Sequence, residues 1–370
     1  MAKKANPGLK FPGFHLSDAK VEQLIDISAL TAADFAPSTT AEKDSFMGAR
    51  KSVSYWQDAW RRLKKNRVSM ASLVVIIVLI IFAFAGPELL PYKYQEQIRT
   101  SLNLSPMQYS AAELTRIENG ESVFPHIFGT DTHGRDLMAR VMIGTRVSIT
   151  IGVLAALMVL LIGAIYGSVS GFLGGMTDNL MMRVIDVISS VPDVLVVLLL
   201  SVSIEPGIKA FVNEHRGNVF AGPFVTLGPS IIAIFLSFAL LYWITMARII
   251  RGQVLQLKEQ DFVTAAKALG ATNGRIIRKH LLPNCIGSMI AATCLQIPSA
   301  IFLESFLSFL GVGIQAPLTS LGSLCSDALG GMYTYTFRLI IPSLILLVLL
   351  LAFNLFGDGL RDALDPRLKK

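Results

Sequence analysis

The sequence predicts an all-α, polytopic membrane protein with six transmembrane helices in one bundle. Three observations carry that prediction. Of the 370 residues 52% are hydrophobic and only 16% are charged, and the mean hydropathy is +0.56, too apolar for a soluble domain of this length. The apolar residues gather in runs long enough to cross a bilayer, and the basic residues gather beside alternate runs. The formal charge of +7 would suit nucleic acid, but the aromatic residues lie in the apolar runs rather than among the basic ones, so no nucleic-acid surface is expected.

A helical span needs about 20 mainly apolar residues to cross about 30 Å of hydrocarbon, because lipid offers no partner to backbone polar groups. Segments 68–90, 147–172, 180–202, 229–247, 284–310 and 339–356 meet that requirement. Residues 1–67 are polar and are broken by Pro7, Pro12 and Pro37, with no secretory h-region, so the start of the chain is expected in the cytoplasm. Within them, Trp56, Trp60 and Leu63 fall at helical spacing among basic residues. That pattern reads either as an interfacial amphipathic helix in contact with membrane lipid or as an anchor holding the first span.

Arg61, Arg62, Lys64, Lys65 and Arg67 precede the first span, and a second basic cluster from Arg248 to Lys279 lies between the fourth and fifth. Basic residues are retained on the cytoplasmic side, so both clusters imply that both termini are cytoplasmic. The chain then divides into a cytoplasmic N-terminal region 1–67, a first span 68–90, an extracytoplasmic segment 91–146, a core transmembrane domain 147–358 with an inner loop at 248–283, and a cytoplasmic tail 359–370. The tail charges Asp358, Arg361, Asp362, Asp365 and Arg367 sit three and four apart, which predicts internal pairing. Cys285, Cys294 and Cys325 lack metal-ligand spacing and read as packing residues, so no metal site is expected.

In the third span Asp186, Ser189, Ser190 and Asp193 fall at i, i+3, i+4 and i+7, a polar stripe on one face of an apolar helix that Pro192 could kink. Charge in hydrocarbon is costly and normally faces a bundle interior or a wet cavity, which makes the stripe a candidate for the lining or gate of a path. The alternative pairs Asp186 with Arg183 and buries Asp193 in an inter-helix hydrogen bond. Glu304 in the fifth span is a further candidate for the path, or a brace between spans.

The inner loop DFVTAAKALGATNGRIIRKHLLPN, from Asp261 to Asn284, reads as helix, turn, helix. Gly270 supplies the left-handed turn, Thr272 caps a second helix, and that helix is expected to stop near Pro283. Small residues Ala265, Ala266 and Ala268 would let another surface approach closely, so the loop reads as a docking knob. It resembles the EAA loop of ABC-importer permeases, with Ala265, Ala266, Gly270, Leu282 and Pro283 at matching spacing, Thr264 in the place of Glu and His280 in that of Ile. The resemblance implies that Asp261, Thr264, Ala265, Ala266, Gly270, Arg275, Arg278, His280, Leu282 and Pro283 couple the chain to a separate ATPase.

The block FGTDTHGRD, through Gly129, Thr130, Asp131, Gly134, Arg135 and Asp136, together with ESFLSFLGVG from Glu304 and NLFGDGLRDALDPR from Asn354, is similar to the C-type permease of oligopeptide and dipeptide importers. Read without the resemblance, Gly129 and Gly134 are turn residues, and Asp131, Arg135 and Asp136 a surface ion-pair cluster. The resemblance implies a type I importer permease, a homologous B-type permease as partner, two ABC ATPase subunits, and an extracytoplasmic peptide-binding protein. No G-x-x-x-x-G-K-[ST] loop occurs in the sequence, so this chain is expected to be non-catalytic, with ATP and Mg held by the partner ATPases. An importer for nickel complexes or another small solute is the rival within the family. An ion-coupled secondary transporter using Asp186 and Asp193 is the rival outside it.

Overall fold

The computed structural model describes residues 54–214, 229–316 and 318–364. The expectations for residues 1–53, and for Asp365 and Arg367 of the tail, lie outside them. Asn66 divides the first two helices, α1 (Tyr55–Lys65) and α2 (Arg67–Phe84), and its side chain accepts hydrogen bonds from the Val68 and Ser69 amides at the start of α2. Val74, Ile77, Val78 and Ile81 form an exposed apolar stripe along α2. The first span was expected to run unbroken over 68–90, but α2 ends at Ala85 and a single turn, α3 (Gly86–Leu89), follows. Pro87 has no amide to donate to the Ala83 carbonyl. Arg146 takes up that carbonyl and the next, donating to Ala83 at 2.9 Å and Phe84 at 3.0 Å.

After α4 (Ala111–Glu118), the helix α5 (Leu137–Leu173) starts ten residues before the expected 147. Asp136 caps it by accepting from the Ala139 amide at 2.8 Å. Its 37 residues make a rod about 55 Å long, well beyond the thickness of hydrocarbon. α5 packs against α9 (Trp243–Leu257) and α12 (Leu282–Phe309), and its approach to α9 is unusually close. Gly163, Gly167 and Gly171 fall four apart on the contact, and a Cβ at Gly167 would stand 2.3 Å from the Ala247 carbonyl oxygen. The small-x-x-x-small pattern was visible in the sequence.

The third span departs from expectation. It is not one helix over 180–202 but two, α6 (Gly175–Ile188) and α7 (Asp193–Glu214), separated at 189–192. Pro192 lacks a donor and disfavours helical geometry at Val191, which is sufficient to break the rod. The fourth span comprises α8 (Pro229–Leu241) and α9, with Tyr242 between them, and extends ten residues past the expected 247. The knob contains α10 (Asp261–Ala268) and α11 (Asn273–Ile276), and α13 (Leu321–Ala328) and α14 (Phe337–Leu364) complete the described chain. Among the described residues six helical segments are long and apolar enough to cross a membrane.

Contacts define two ends of the bundle. Lys258 donates to the Gly171 carbonyl at 3.2 Å, and Tyr55 donates to the Leu364 carbonyl at 2.8 Å, placing the knob, α1 and the end of α14 at one end. Arg338 donates to Asn103 at 3.1 Å, holding residues 91–136 against α14 at the other. The tail expectation needs correction: among the described residues Asp358, Arg361 and Asp362 are exposed and form no ion pair, because no two of their charged ends meet along the surface of α14. Cys285 and Cys325 are buried and Cys294 half-buried, all free thiols.

Candidate functional site

The knob presents two unlike faces. Val263 and Ala266 of α10 are buried in the core cluster that also holds Ile276, Leu281 and Ile250, and the Lys267 ammonium lies 5.4 Å from the Phe172 ring centre. On the other side Asp261, Phe262, Thr264, Ala265, Leu269 and Gly270 are exposed, Leu269 to 88%. Asp261 sits in the first turn, where its charge complements the helix dipole. Gly270 has φ +80°, and no heavy atom lies within 4 Å of the position its Cβ would take. Glycine is thus required by the backbone rather than by crowding within the chain.

Two details of the loop differ from expectation. Thr272 occupies the cap position of α11 without a side-chain hydrogen bond. The second helix does not stop at Pro283: a π-helical turn, Ile277–Leu281, joins α11 directly to α12. A proline inside an α-helix leaves the carbonyl four residues back without a donor and crowds it, and the wider π turn immediately before Pro283 relieves both effects. A continuous helical path therefore runs from Asn273 to Phe309. Along it Arg275 and Arg278 are exposed, His280 and Leu282 half-buried, and Pro283 exposed. Arg275, Arg278 and Lys279 line an open basic hollow of about 520 Å³ with Thr272 and Gly274.

The break at 189–192 rearranges the expected stripe. Asp186, Ser189, Ser190 and Asp193 no longer share one helical face, because Asp186 belongs to α6 and Asp193 to α7. Asp186 pairs with Arg248 of α9 at 3.2 Å, not with Arg183, and Arg248 also donates to Ser189 at 3.3 Å. Asp193 accepts from the Tyr242 hydroxyl at 3.2 Å and is exposed rather than buried. Ser190 donates to the Val187 carbonyl at 2.7 Å. The residues converge on α9 and the Tyr242 turn, forming a polar cluster on an otherwise apolar flank that includes exposed Val187, Val191, Leu195 and Leu199. Glu304 is elsewhere. It is fully buried and accepts from Ser148 of α5 at 2.8 Å, from Ser308 at 2.8 Å and from Ser305 at 3.3 Å, which braces α12 against α5.

The Gly129–Asp136 block is a tight turn whose Thr130, Asp131 and Asp136 are buried, not a surface ion-pair cluster. Gly129 and Gly134 have φ +77° and +70°, and a Cβ at Gly134 would strike the Ile98 carbonyl oxygen, so the turn requires glycine. Thr130 and Asp136 pair across it as a β-bridge. Asp131 is 2% exposed and Arg140 is 4% exposed. Asp131 accepts from Arg140 at 2.6 Å and Arg135 at 2.7 Å, and Arg140 continues to Asp327 at 3.0 Å. Burial opposes the Asp131 charge, but Arg140 above all, with Arg135 and two backbone amides, holds the carboxyl below its ordinary range.

Beside it, the fully buried His126 faces Asp136 at 2.8 Å and Glu113 at 3.1 Å through its two ring nitrogens, and the Tyr92 ring stacks on it at 4.3 Å. Two acceptors require two donors, so the imidazolium is the form that satisfies both. Burial works against that charge, but the hydrogen bonds His126 donates to Asp136 and then to Glu113, with the charges of both carboxylates, outweigh it and raise the His126 pKa. The Tyr92 hydroxyl is pushed up to about 12 by burial and by the charges of Glu113 and Asp136. Sequence reasoning missed Glu113, His126, Arg140, Asp327 and Arg338. Only Arg140, a charge inside an apolar run, carried a local signal.

Residues 148–370 match the model of the family described as binding-protein-dependent transport system inner membrane component. Residues 54–106 match the N-terminal TM domain of oligopeptide transport permease C. The dipeptide transport system permease protein DppC of Bacillus subtilis is 44% identical over 87% of this chain and 88% of its own length. The oligopeptide transport system permease protein OppC of the same organism is 39% identical over 91% of this chain and 97% of its own. A solved inward-facing structure of the MetNI methionine ABC transporter aligns with 62% of this chain and 96% of its own at 16% identity, with a TM-score of 0.47.

Proposed function

Since the chain belongs to the family of binding-protein-dependent transport system inner membrane components, we propose that it is a permease subunit of an ATP-driven importer of oligopeptides or dipeptides, forming half of the translocation pore. The observation that carries the reading is the knob: α10 is packed on one face and bare on the other, with exposed Phe262, Ala265 and Leu269 beside an unobstructed Gly270. That bare face would insert into a groove on one of the two partner ATPases, which hold ATP and Mg, while this chain performs no catalysis. The knob end is then cytoplasmic, with both termini, and residues 91–136 face the peptide-binding protein outside.

The helical path from Asn273 to Phe309 gives the knob a mechanical route into the bundle. Movement of α10 and α11 is delivered to α12, and through Glu304 and Ser148 to α5. Alternating access would follow from two discrete packings of these rods, biased by closure of the ATPases. The polar cluster at Asp186, Ser189, Ser190 and Asp193 supports a second permease on this flank. Tyr242 stands twelve residues into the Ser230–Leu257 span, so its partner Asp193 lies on the flank at mid-span depth, where an exposed carboxylate requires a subunit or a water path beside it. The peptide cargo rests on what the relatives transport, and competition of uptake by peptides rather than nickel complexes distinguishes it.

Two substitutions test the coupling. Ala265→Trp adds bulk to the bare face without backbone strain, and Gly270→Phe adds it at the turn at a cost of about 1–2 kcal/mol from the left-handed conformation. Both chains should reach the membrane and melt within a few degrees of the parent, yet lose the ATPases and ATP-dependent uptake. Normal uptake by both would refute the docking role.

A further inference from the structure

We propose that α1 and the Arg67 at the start of α2 form a binding surface for the headgroups of anionic phospholipids, fixed at the membrane boundary by the fold. The inference rests on the membrane assignment but not on the cargo. Ala59 and Leu63 bury one face of α1, Ala59 packing with Ala291 and Leu364, and Tyr55 hydrogen-bonds the Leu364 carbonyl. These contacts fix which side of the helix turns outward. On that side Trp56 is 49% and Trp60 46% exposed, with Arg61, Lys64, Lys65 and Arg67 also exposed.

The position of the surface identifies its occupant. α2 has 18 residues, about 27 Å of helix, which closely matches the hydrocarbon thickness. A single residue, Asn66, separates α2 from α1, so α1 lies where headgroups begin. Indole rings favour that depth, and their exposure is unexplained by contact within the chain. Trp56, Trp60 and Lys64 follow one another at i, i+4 and i+8, and the Lys64 ammonium lies 5.3 Å from the Trp60 ring centre. The aromatic rings would reach the acyl boundary, with Lys64 at their polar edge and Arg61 and Lys65 further round the helix.

The charge is one-sided. Asp58, the one acid of α1, is paired with Arg62. Among the described residues Arg61, Lys65 and Arg67 have no acidic partner. Four exposed cations at headgroup depth, beside two indoles, complement phosphodiester anions rather than zwitterionic headgroups.

Tryptophan fluorescence provides the test. The chain has three tryptophans, and the third, Trp243, is buried, so collisional quenching by lipid-borne bromine reports Trp56 and Trp60; a Trp243→Phe chain removes the remaining background. The full chain is placed in nanodiscs of equimolar phosphatidylglycerol and phosphatidylcholine, with bromine on the acyl chains of one lipid or the other. Bromine on phosphatidylglycerol should quench as though that lipid were enriched at least about twofold at α1. The preference should collapse at about 0.5 M salt, where screening shortens to roughly 4 Å. It should also be lost in Arg61→Gln/Lys65→Gln, which leaves Arg62, Lys64 and Arg67 to keep the topology, and be retained in Arg61→Lys/Lys65→Arg. Equal quenching by both lipids in the parent chain, or none by either, would overturn the proposal. So would a preference that survives both salt and the double Gln substitution.

Discussion

Gly167→Ala should destabilise the bundle even though alanine is the better helix former. The added Cβ would stand 2.3 Å from the Ala247 carbonyl oxygen and 3.0 Å from its carbon, both backbone atoms, against about 3.4 Å for an ordinary contact. The difference, 3.4 − 2.3 = 1.1 Å, is the distance α5 and α9 must separate at that point. A gap of 0.5–1 Å already forfeits about a quarter to a half of the dispersion attraction between facing atoms. Overpacking of this kind costs about 1–3 kcal/mol, and Gly167→Leu should reach or pass the top of that range. The control is Gly252→Ala on α9, where a new Cβ meets nothing within 4 Å and removing a helical glycine should be neutral or favourable by up to about 1 kcal/mol. Thermal unfolding of the purified chain in mild detergent can be followed by labelling of Cys285, which is buried in the same cluster as Ala247 and Ile250. The order of midpoints should be Gly252→Ala at or above the parent, then Gly167→Ala, then Gly167→Leu. A Gly167→Ala midpoint equal to or above the parent would refute the close helix crossing.

Three further outcomes are expected. Replacing Arg140 by Leu leaves the buried Asp131 without its nearest cation and should cost about 3–5 kcal/mol, seen as a lower melting midpoint, and adding Asp131→Asn should recover part of it. The segment 91–136 should show pH-dependent amide protection. His126 has a raised pKa, so its contribution is complete below the unfolded value near 6.5 and is lost as pH rises through the folded value. For Glu113, burial opposes the charge, but Ser110 and then His126 outweigh it and lower the pKa, so its contribution is complete above about 4.5 and is lost as pH falls through the folded value. Hydrogen exchange corrected for intrinsic rates should therefore show protection declining as pH rises past about 6.5 and again as it falls below about 4.5, and a flat profile from pH 5 to about 9 would contradict the imidazolium. Asp186→Asn, at a half-exposed ion pair with Arg248, should change the stability by no more than about 1 kcal/mol and leave assembly intact while altering transport. Loss of the assembled complex would rule out a role in the path.

The membrane class and the approximate spans were legible because hydrophobic runs are local signals. The turn at Gly270 was legible for the same reason, since a helix-ending glycine needs no distant partner to be recognised. The start of α5 was not. Hydropathy stops at Arg146 and Arg140; the first donates hydrogen bonds to the Ala83 and Phe84 carbonyls and the second is paired with Asp131 and Asp327, and most of these partners are far away in sequence. Prolines misled in both directions: Pro192 breaks a span that periodicity treated as continuous, whereas Pro283 is absorbed by a π turn that composition does not reveal. The His126 cluster depends on a buried carboxylate thirteen residues before it and another ten residues after it. Neither spacing resembles a helical or strand contact, so only the folding of segment 91–136 brings them together.

The most direct test of the permease assignment is to purify the tagged chain from its native membrane in mild detergent and identify by mass spectrometry what accompanies it. A second permease and P-loop ATPases should co-purify, with a peptide-binding protein favouring peptide cargo. If the chain reproducibly came alone while solute uptake persisted in vesicles without ATP, the assignment would be contradicted and an ion-coupled transporter would take its place.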